Sequence, residues 1–301
     1  MENDTTSTPN TRSTLLKIWQ FPLTAMIVAI AVLVLCVAAV GALASALQGK
    51  VSEQAAYAIF SIALVLLCLI AYKLVIRRLG AKKHDDLPFD MRAIRDTMAG
   101  FGGGALLISI CVGLAAIAGV YSISGTDDFA DWMQVVFLFG LYAGFFEELL
   151  LRGVVHRWLE EMTGTWIALA ISSLVFGFGH AWNDNATFFS SLAISIEAGV
   201  LLGAAYILTR SLWLAIGLHA GWNVVQALWD VPVSGNDVDG LVAATLAGPP
   251  LLAGGGFGLE ATIFALLVAT SAGIWMLWLA AKRGRIVRPM WSRKGAPITA
   301  Y

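Results

Sequence analysis

The sequence predicts an all-α polytopic membrane protein, a bundle of about eight transmembrane helices. Hydrophobic types make up 58% of the 301 residues and charged types 13%, whereas about 25% of an average soluble chain is charged. Mean hydropathy is +0.78, and the apolar residues are gathered into runs long enough to cross a bilayer. A backbone in lipid must satisfy its own hydrogen bonds, so each run is expected to be helical.

The apolar runs define the predicted helices in order along the chain. The first run follows a polar start and is far longer than the apolar region of a signal peptide, so we interpret it as a membrane span. The later runs lack the alternating pattern of barrel strands, which leaves helices for all of them. The runs cover residues 20–46, 56–76, 99–121, 132–151, 166–182, 187–208, 212–229 and 257–281.

The connections between the runs predict the topology. If all eight runs cross in turn, Lys50 alone of the 19 Lys and Arg residues falls on the external side. Basic residues favour the cytoplasm, so both termini are expected there. The loop from Pro232 to Gly256 has no Lys or Arg, which fits an external connection. The basic residues on the predicted cytoplasmic side are Arg12, Lys17, Lys73, Arg77, Arg78, Lys82, Lys83, Arg92, Arg95, Arg152, Arg157, Arg210, Lys282, Arg283, Arg285, Arg288, Arg293 and Lys294.

These features predict four regions. They are a cytoplasmic N-terminal tail at 1–19, helices 1–3 within 20–125, a core of helices 4–7 at 130–230, and a last region at 231–301 with the external loop, the last helix and the basic tail. We interpret the basic tail as a signal for topology and lipid headgroups, so membrane lipids are expected partners and nucleic acid is not. The three cysteines lie far apart in apolar runs and predict packing rather than disulfides.

Two adjacent acids and an arginine lie at the end of the fourth run, in the stretch FFEELLLRG. An ionisable group within a span costs roughly 2.5 to 3.5 kcal/mol and indicates a functional site by default. Glu148 and Arg152 are four residues apart on one helix face, which predicts a structural ion pair. We therefore expect Glu148→Gln to lower stability more than it alters chemistry. Glu147 points to a different face and is left for chemistry.

Three further polar residues lie in the fifth and seventh runs. His180 ends the stretch FGFGH, and His219 begins HAGWN, in which Asn223 lies on the same helix face as His219. Glu147 and His180 each lie about 16 residues from a predicted turn at residues 162–165. Two antiparallel helices joined by this turn would therefore bring them to one level. Plain hydropathy instead places His180 near the outer end of its run, and we favour the helix count.

Together these side chains predict a hydrolase site. A carboxylate and an imidazole on one water form a general base pair, and a second imidazole with an amide can stabilise an oxyanion. Glu147, aided by His180, would activate the water, and His219 with Asn223 would bind the tetrahedral intermediate. The chemical alternative is zinc held by Glu147, His180 and His219, a known catalytic ligand set, although the motif HExxH is absent.

Two more acids border the later spans. Glu197, in the sixth run, is expected to be a packing residue with a hydrogen bond across helices, with a place at the cavity wall as the alternative. Glu260, at the outer end of the last run, is expected to be interfacial. Neither belongs to the proposed chemistry.

The three motifs EELLLR (147–152), FGFGH (176–180) and HAGWN (219–223) resemble the EExxxR, FxxxH and HxxxN pattern of the CAAX prenyl endopeptidase family of the Ras-converting-enzyme type. Bacterial relatives are called CAAX-protease and bacteriocin-processing or abortive-infection proteins. The resemblance covers roughly residues 130 to 230. It implies an eight-helix intramembrane glutamic protease with Glu147 and His180 on water, His219 and Asn223 at the oxyanion, and Glu148 with Arg152 as support.

The expected function is therefore that of an integral membrane endopeptidase without a cofactor, located in a bacterial cell membrane. Its substrate is expected to be a CAAX-type C-terminal peptide or another membrane-associated peptide or protein, with lipid modification left open. A zinc protease that uses the same residues is one alternative. A non-catalytic immunity factor or a transporter with a proton relay is another, although a transporter predicts internal symmetry, which the sequence lacks.

Overall fold

A computed structural model describes residues 11–81 and 84–293 of the chain, so Lys82, Lys83 and Lys294 of the predicted cytoplasmic set lie outside the described residues. The described part is almost entirely helical, as predicted, and short 3₁₀ turns join several of the helices. The helices are α1 (Thr11–Gln20), α2 (Pro22–Leu47), α3 (Glu53–Leu74), α4 (Met91–Ile117), α5 (Gln134–Thr163), α6 (Thr165–Gly179), α7 (Phe188–Thr209), α8 (Trp213–Leu228), α9 (Pro250–Ala253) and α10 (Ile263–Lys282).

Each of the eight predicted runs forms a helix, but seven of these helices are long and apolar enough to cross a membrane by themselves in the described residues. The exception is α8, which has 16 residues, whereas α6 reaches 18 residues with the 3₁₀ turn that continues it to Trp182. At 1.5 Å per residue α8 is about 24 Å long, shorter than the roughly 30 Å of a hydrocarbon core. The helix is enclosed by its neighbours on most of its length, so protein rather than lipid surrounds it.

A small sheet, which the sequence analysis does not predict, joins two connections. The strand β1 (Tyr121–Thr126) follows α4 and pairs antiparallel with β2 (Val242–Leu246), which follows α8. The pairing places the C-terminal ends of α4 and α8 on the same side of the bundle. Asn183, just after α6, donates to the Ser234 carbonyl at 3.0 Å and adds a third connection to that side.

The opposite side of the bundle is held by a second set of contacts. The Leu212 N–H, at the start of α8, donates to the Asp86 carbonyl at 2.8 Å, and the Thr165 N–H donates to the Val287 carbonyl at 3.1 Å. Four segments therefore lie on this side of the bundle: the loop after α3, the turn before α6, the start of α8 and the segment after α10. Despite its length, α8 runs from this side of the bundle to the other.

Two helix starts differ from the predicted runs because polar caps set them. Asp90 accepts hydrogen bonds from the Arg92 and Ala93 N–H groups at 2.9 and 3.2 Å, so α4 begins at Met91 instead of near residue 99. Thr262 caps α10 and accepts from the Ala265 N–H at 3.3 Å. Side-chain caps of this kind satisfy the first N–H groups of a helix, whereas hydropathy marks only the apolar part.

Helix α5 departs most from regular α-helical geometry. Its segments Gln134–Glu147 and Leu149–His156 are π-helical, and Arg157–Thr163 is α-helical. π-helices occur mostly as single turns and frequently at functional sites, so two long segments around the acid pair are unusual. The sequence analysis assumes an α-helix here.

Glycines bring α4 and α8 into backbone contact. A Cβ atom on Gly104 of α4 would lie 2.2 Å from the Leu218 carbonyl oxygen, and one on Gly221 of α8 would lie 2.2 Å from the Phe101 carbonyl oxygen. No side chain fits at either position without a shift of the backbone, so the two helices are in direct backbone contact. This contact holds one face of α8, the helix that carries His219 and Asn223.

Small residues on α5 and α7 also lie at helix contacts. A Cβ on Gly144 of α5 would lie 3.1 Å from the Cβ of Ala220 on α8, and one on Gly199 of α7 would lie 2.6 Å from the Cβ of Ser173 on α6. Close approach at small residues is a common packing mode of membrane helices. It brings α5, α6, α7 and α8 together around the polar residues.

Candidate active site

The four predicted catalytic side chains come from three helices. Glu147 lies at the end of the first π-helical segment of α5, His180 lies in the 3₁₀ turn His180–Trp182 after α6, and His219 with Asn223 lies on α8. The hairpin of α5 and α6 does bring Glu147 and His180 to one level, as the helix count predicts. His180 also lies at the end of its helix, as hydropathy indicates, so the two observations are compatible.

Glu147 and His180 face each other at 4.0 Å between Oε2 and Nε2. The His180 Nδ1–H donates to the Phe176 carbonyl oxygen at 2.8 Å, which fixes the tautomer because a carbonyl can only accept. In the neutral ring the lone pair is then on Nε2, towards Glu147. The side chains are 25% and 15% exposed respectively, so neither is sealed inside the bundle.

Glu148 is the centre of a buried polar cluster. Its Oε1 atom accepts from the Arg152 guanidinium at 2.8 Å and from the Nδ1–H of His219 at 3.0 Å. The predicted ion pair is therefore present, and all three side chains are buried. Arg152 also donates to the Gly199 carbonyl at 3.2 Å, which ties α5 to α7. The bond to His219 is not predicted, because sequence spacing says nothing about contacts between distant helices.

His219 and Asn223 each use one polar group to hold their orientation. Because the His219 Nδ1–H is bound to Glu148, Nε2 is the nitrogen left for other partners. The Asn223 amide donates one N–H to the Phe139 carbonyl at 3.1 Å. An amide nitrogen carries two N–H groups, so one donor remains. The sequence does not predict this contact with the backbone of Phe139 on α5 either.

Phe176, the first residue of the FGFGH motif, packs between the charged and the imidazole groups. Its ring lies 4.6 Å from the Arg152 guanidinium carbon, and its centroid lies 4.9 Å from that of His180 and 5.8 Å from that of His219. A cation over an aromatic face is attracted to it. Phe176 therefore sets the spacing between the two histidines, a role that the sequence analysis does not assign.

A cavity between α6, α7 and α8 adjoins the two histidines. It has about 20 Å³ of space for the centre of a water molecule, enough for one water. His180, His219 and Asn223 line it, and Glu147 does not. Three of the four predicted catalytic side chains therefore border this space, and no described residue of α5 does. The complete lining is Phe176, His180, Ile194, Glu197, Ala198, Leu201, Leu202, Leu218, His219, Trp222, Asn223, Ser234 and Glu260.

Two of the lining residues correct the sequence analysis. Glu260 is buried, with 4% exposure, and accepts from the Ser234 N–H at 2.6 Å, so it is not the interfacial residue that was expected. The sequence places Glu260 near the start of the last helix, which favours an interfacial position, but the chain after α8 folds over it. Glu197 is 1% exposed and lines the cavity, and its Oε2 atom has no hydrogen-bond partner among the described residues, contrary to the expected bond across helices.

The residues present do not form a three-ligand metal site. Within residues 11–81 and 84–293, no group of three or more His, Cys, Asp and Glu side chains is arranged to hold one ion. In particular, Glu147 contacts His180, while His219 turns its Nδ1 atom to Glu148. The proposed ligand set for zinc is thus divided between two clusters, and we derive no step through a metal.

Comparison with known proteins identifies the core of the chain. The family model described as type II CAAX prenyl endopeptidase Rce1-like matches residues 129–225, the region that contains all three motifs. No curated protein and no solved structure matched the chain. The match supports a protease of the membrane, in keeping with the seven apolar helices. The chain therefore carries an Rce1-like type II CAAX prenyl endopeptidase domain at residues 129–225, as the order of the motifs predicts.

Proposed function

We propose that this protein is an intramembrane endopeptidase in which Glu147 and His180 activate water to hydrolyse a peptide bond. The observation that carries the proposal is the pair of acceptors at 4.0 Å, Glu147 Oε2 and His180 Nε2, within a domain of the Rce1-like kind. The substrate is a CAAX-type C-terminal peptide or another membrane-associated peptide. Both termini lie in the cytoplasm, and the cell membrane is bacterial.

The first step is proton transfer from water. A water molecule between Glu147 and His180 donates one hydrogen bond to Oε2 and one to Nε2, because both atoms are acceptors in the neutral tautomer of His180. As the oxygen attacks the carbonyl carbon, Glu147 takes the proton. General base catalysis by a positioned side chain contributes roughly 10²- to 10⁴-fold.

The second step is stabilisation of the tetrahedral intermediate. The free N–H of Asn223 donates to the developing oxyanion. His219 donates from Nε2 once its ring is protonated, and the Glu148 carboxylate at its Nδ1 atom stabilises that positive charge. One such donor is typically worth about 10²- to 10³-fold. Collapse of the intermediate breaks the C–N bond, and the amine leaves with the proton that Glu147 accepted.

The role of Glu147 is tested by Glu147→Gln, which keeps the size of the side chain and removes the base. We expect hydrolysis of a fluorogenic prenylated CAAX peptide by purified protein in liposomes to fall by roughly 10²- to 10⁴-fold. Glu53→Gln is the matched control, since Glu53 lies at the start of α3, away from the catalytic groups, and accepts a hydrogen bond from the Tyr57 hydroxyl. We expect it to retain full activity.

Cleavage that survives in Glu147→Gln would remove the assigned base. Failure of the wild-type protein to cleave any peptide in a library of prenylated and unmodified sequences would favour the non-catalytic alternatives instead. The same library identifies the substrate class, because it compares prenylated and unmodified forms of each sequence.

We also propose that the reaction needs no metal. Because the zinc ligand set is divided between two clusters, protein freed of metal with a chelator should hydrolyse the same peptide at an unchanged rate. Metal analysis of the treated sample provides the control. Loss of activity on chelation, restored by zinc alone, would overturn this prediction.

A further inference from the structure

The cavity beside the two histidines contains two buried acids that the proposed mechanism does not use. Glu197 is 1% exposed and Glu260 is 4% exposed, and both line the cavity. Glu197 lies on α7 at the wall of this space, and its Oε2 atom is buried without a hydrogen-bond partner among the described residues. A buried carboxylate without a partner is costly, so this acid is either protonated or paired with an occupant of the cavity.

Glu260 is held in place by the chain that follows α8. The Ser234 N–H donates to Oε2 at 2.6 Å, and the Ser234 hydroxyl donates to Oε1 at 3.2 Å. Ser234 has a φ of +49°, a left-handed conformation that few residues other than glycine adopt. A carboxylate has about four acceptor positions, so Glu260 can still accept from an occupant of the cavity.

The surroundings favour a positive charge between the two acids. Glu197 and Glu260 line the same small cavity and would repel each other if both were charged, and apolar side chains such as Ile194 and Leu201 form much of the wall. Lys and Arg are absent from the lining residues, and His180 and His219 are the titratable groups that line the cavity beside the two acids. Buried charges in proteins are normally paired, and a cation between the acids would pair both at once.

The size of the cavity selects the kind of cation. The space of about 20 Å³ for the centre of a water molecule suits a group as small as water, which an ammonium group is. A guanidinium group is planar and larger, with five donors in a fixed fork. A primary ammonium also has three N–H donors, enough for Oε2 of Glu197 and for a free acceptor position on Glu260.

We propose that Glu197 and Glu260 form a substrate subsite for a primary ammonium group. As a substrate subsite it rests on the proposed endopeptidase function, and it adds the substrate class: a peptide with a lysine side chain or a free N-terminal amine near the bond that is cleaved. The cavity also borders His180, His219 and Asn223, so an ammonium bound there lies next to the groups assigned to catalysis.

Binding can be tested without hydrolysis. The probe is n-butylammonium, with n-butanol as the neutral analogue and tetramethylammonium as a cation without N–H donors, each added to full-length protein in detergent at matched ionic strength. We expect n-butylammonium alone to raise the unfolding temperature in a saturable manner. In Glu197→Gln and in Glu260→Gln the affinity should fall by about tenfold or more. If one of these variants does not fold, the other provides the test.

Peptides then identify the source of the ammonium group. Matched peptides carry lysine or norleucine at each position near the scissile bond, with a free or an acetylated N-terminus. If the side chain is the source, we expect the kcat/KM of wild-type protein to be at least about tenfold higher for the lysine peptide than for the norleucine peptide. If the terminus is the source, we expect the same difference between the free and the acetylated peptide. The ratio should approach one in Glu197→Gln.

Equal stabilisation by n-butylammonium and n-butanol, or a preference unchanged in both variants, would overturn the subsite. These results are distinguishable from failure of the proposed function. A protein that binds n-butylammonium through Glu197 and cleaves no peptide retains the cation site and loses the endopeptidase assignment. One that prefers neither lysine over norleucine nor a free over an acetylated N-terminus keeps the activity and loses the subsite.

Discussion

At the scale of single residues, the two adjacent glutamates have separate environments. Glu147 is one-quarter exposed and contacts His180, whereas Glu148 is fully buried between Arg152 and His219. A partly exposed carboxylate can contact a substrate or a water molecule, while a buried carboxylate bonded to two donors is held in a fixed position by them. Glu147 is thus available for chemistry, whereas Glu148 supports the structure and also orients His219.

Glu148→Gln tests that division. The substitution leaves the Arg152 guanidinium buried without its carboxylate, and loss of one member of a buried ion pair costs about 3 to 5 kcal/mol. We expect a clear fall in the unfolding temperature of the purified protein in detergent. Glu147→Gln, the same change one residue earlier at a partly exposed site, should leave stability nearly unchanged.

The His219 bond adds a second expectation for the same variant. Because Glu148 also accepts from Nδ1 of His219, Glu148→Gln should lower kcat as well, whereas the sequence alone predicts mainly a loss of stability. An unfolding temperature equal to that of Glu147→Gln would contradict the structural role. A normal kcat with reduced stability would restrict Glu148 to the ion pair.

At the scale of elements, the position of the site depends on how closely α8 approaches α4. The backbones meet at glycines on both helices, and α8 carries both His219 and Asn223. The helix is too short to be positioned by lipid, so its neighbours fix its height and rotation. Packing between α4 and α8 therefore controls the geometry of the oxyanion groups from outside the motifs.

Gly221→Ala should separate these helices. The new Cβ atom would lie 2.2 Å from the Phe101 carbonyl oxygen, and overpacking of this kind costs about 1 to 3 kcal/mol. We expect lower thermal stability together with reduced hydrolysis, because His219 is two residues away. Gly102→Ala on α4 is the control, since nothing lies within 4 Å of its Cβ position, and it should match the wild type. Equal behaviour of the two variants would show that the contact has no influence on the site.

These elements also show what the sequence can and cannot predict. Apolar runs predict the eight main helices, because lipid and protein interior both select apolar side chains, and the i, i+4 spacing predicts the bond from Glu148 to Arg152. The π-helical form of α5 and the contact of Glu148 with His219 depend on tertiary packing, which hydropathy does not record. Glu260 was misjudged for the same reason, since a loop distant in the sequence covers it.

At the scale of the whole molecule, the connections fall into two groups on opposite sides of the bundle. One group contains β1, β2 and the Asn183–Ser234 contact, and the other contains the Leu212–Asp86 and Thr165–Val287 contacts. The second group adjoins the segments that carry most of the basic residues. Basic loops favour the cytoplasm, which supports the proposal that α8 completes an even number of crossings and that both termini are cytoplasmic.

Single cysteines test this orientation in a variant whose three native cysteines are replaced by alanine. Lys50→Cys, between α2 and α3, should react with a membrane-impermeant maleimide in intact cells, because Lys50 is the one basic residue predicted outside. Lys17→Cys and Arg283→Cys should react only after permeabilisation. Labelling of Arg283→Cys in intact cells, with Lys17→Cys still protected, would mean that the chain crosses an odd number of times. The reverse pattern, with Lys50→Cys protected, would invert the whole bundle and place the basic segments outside.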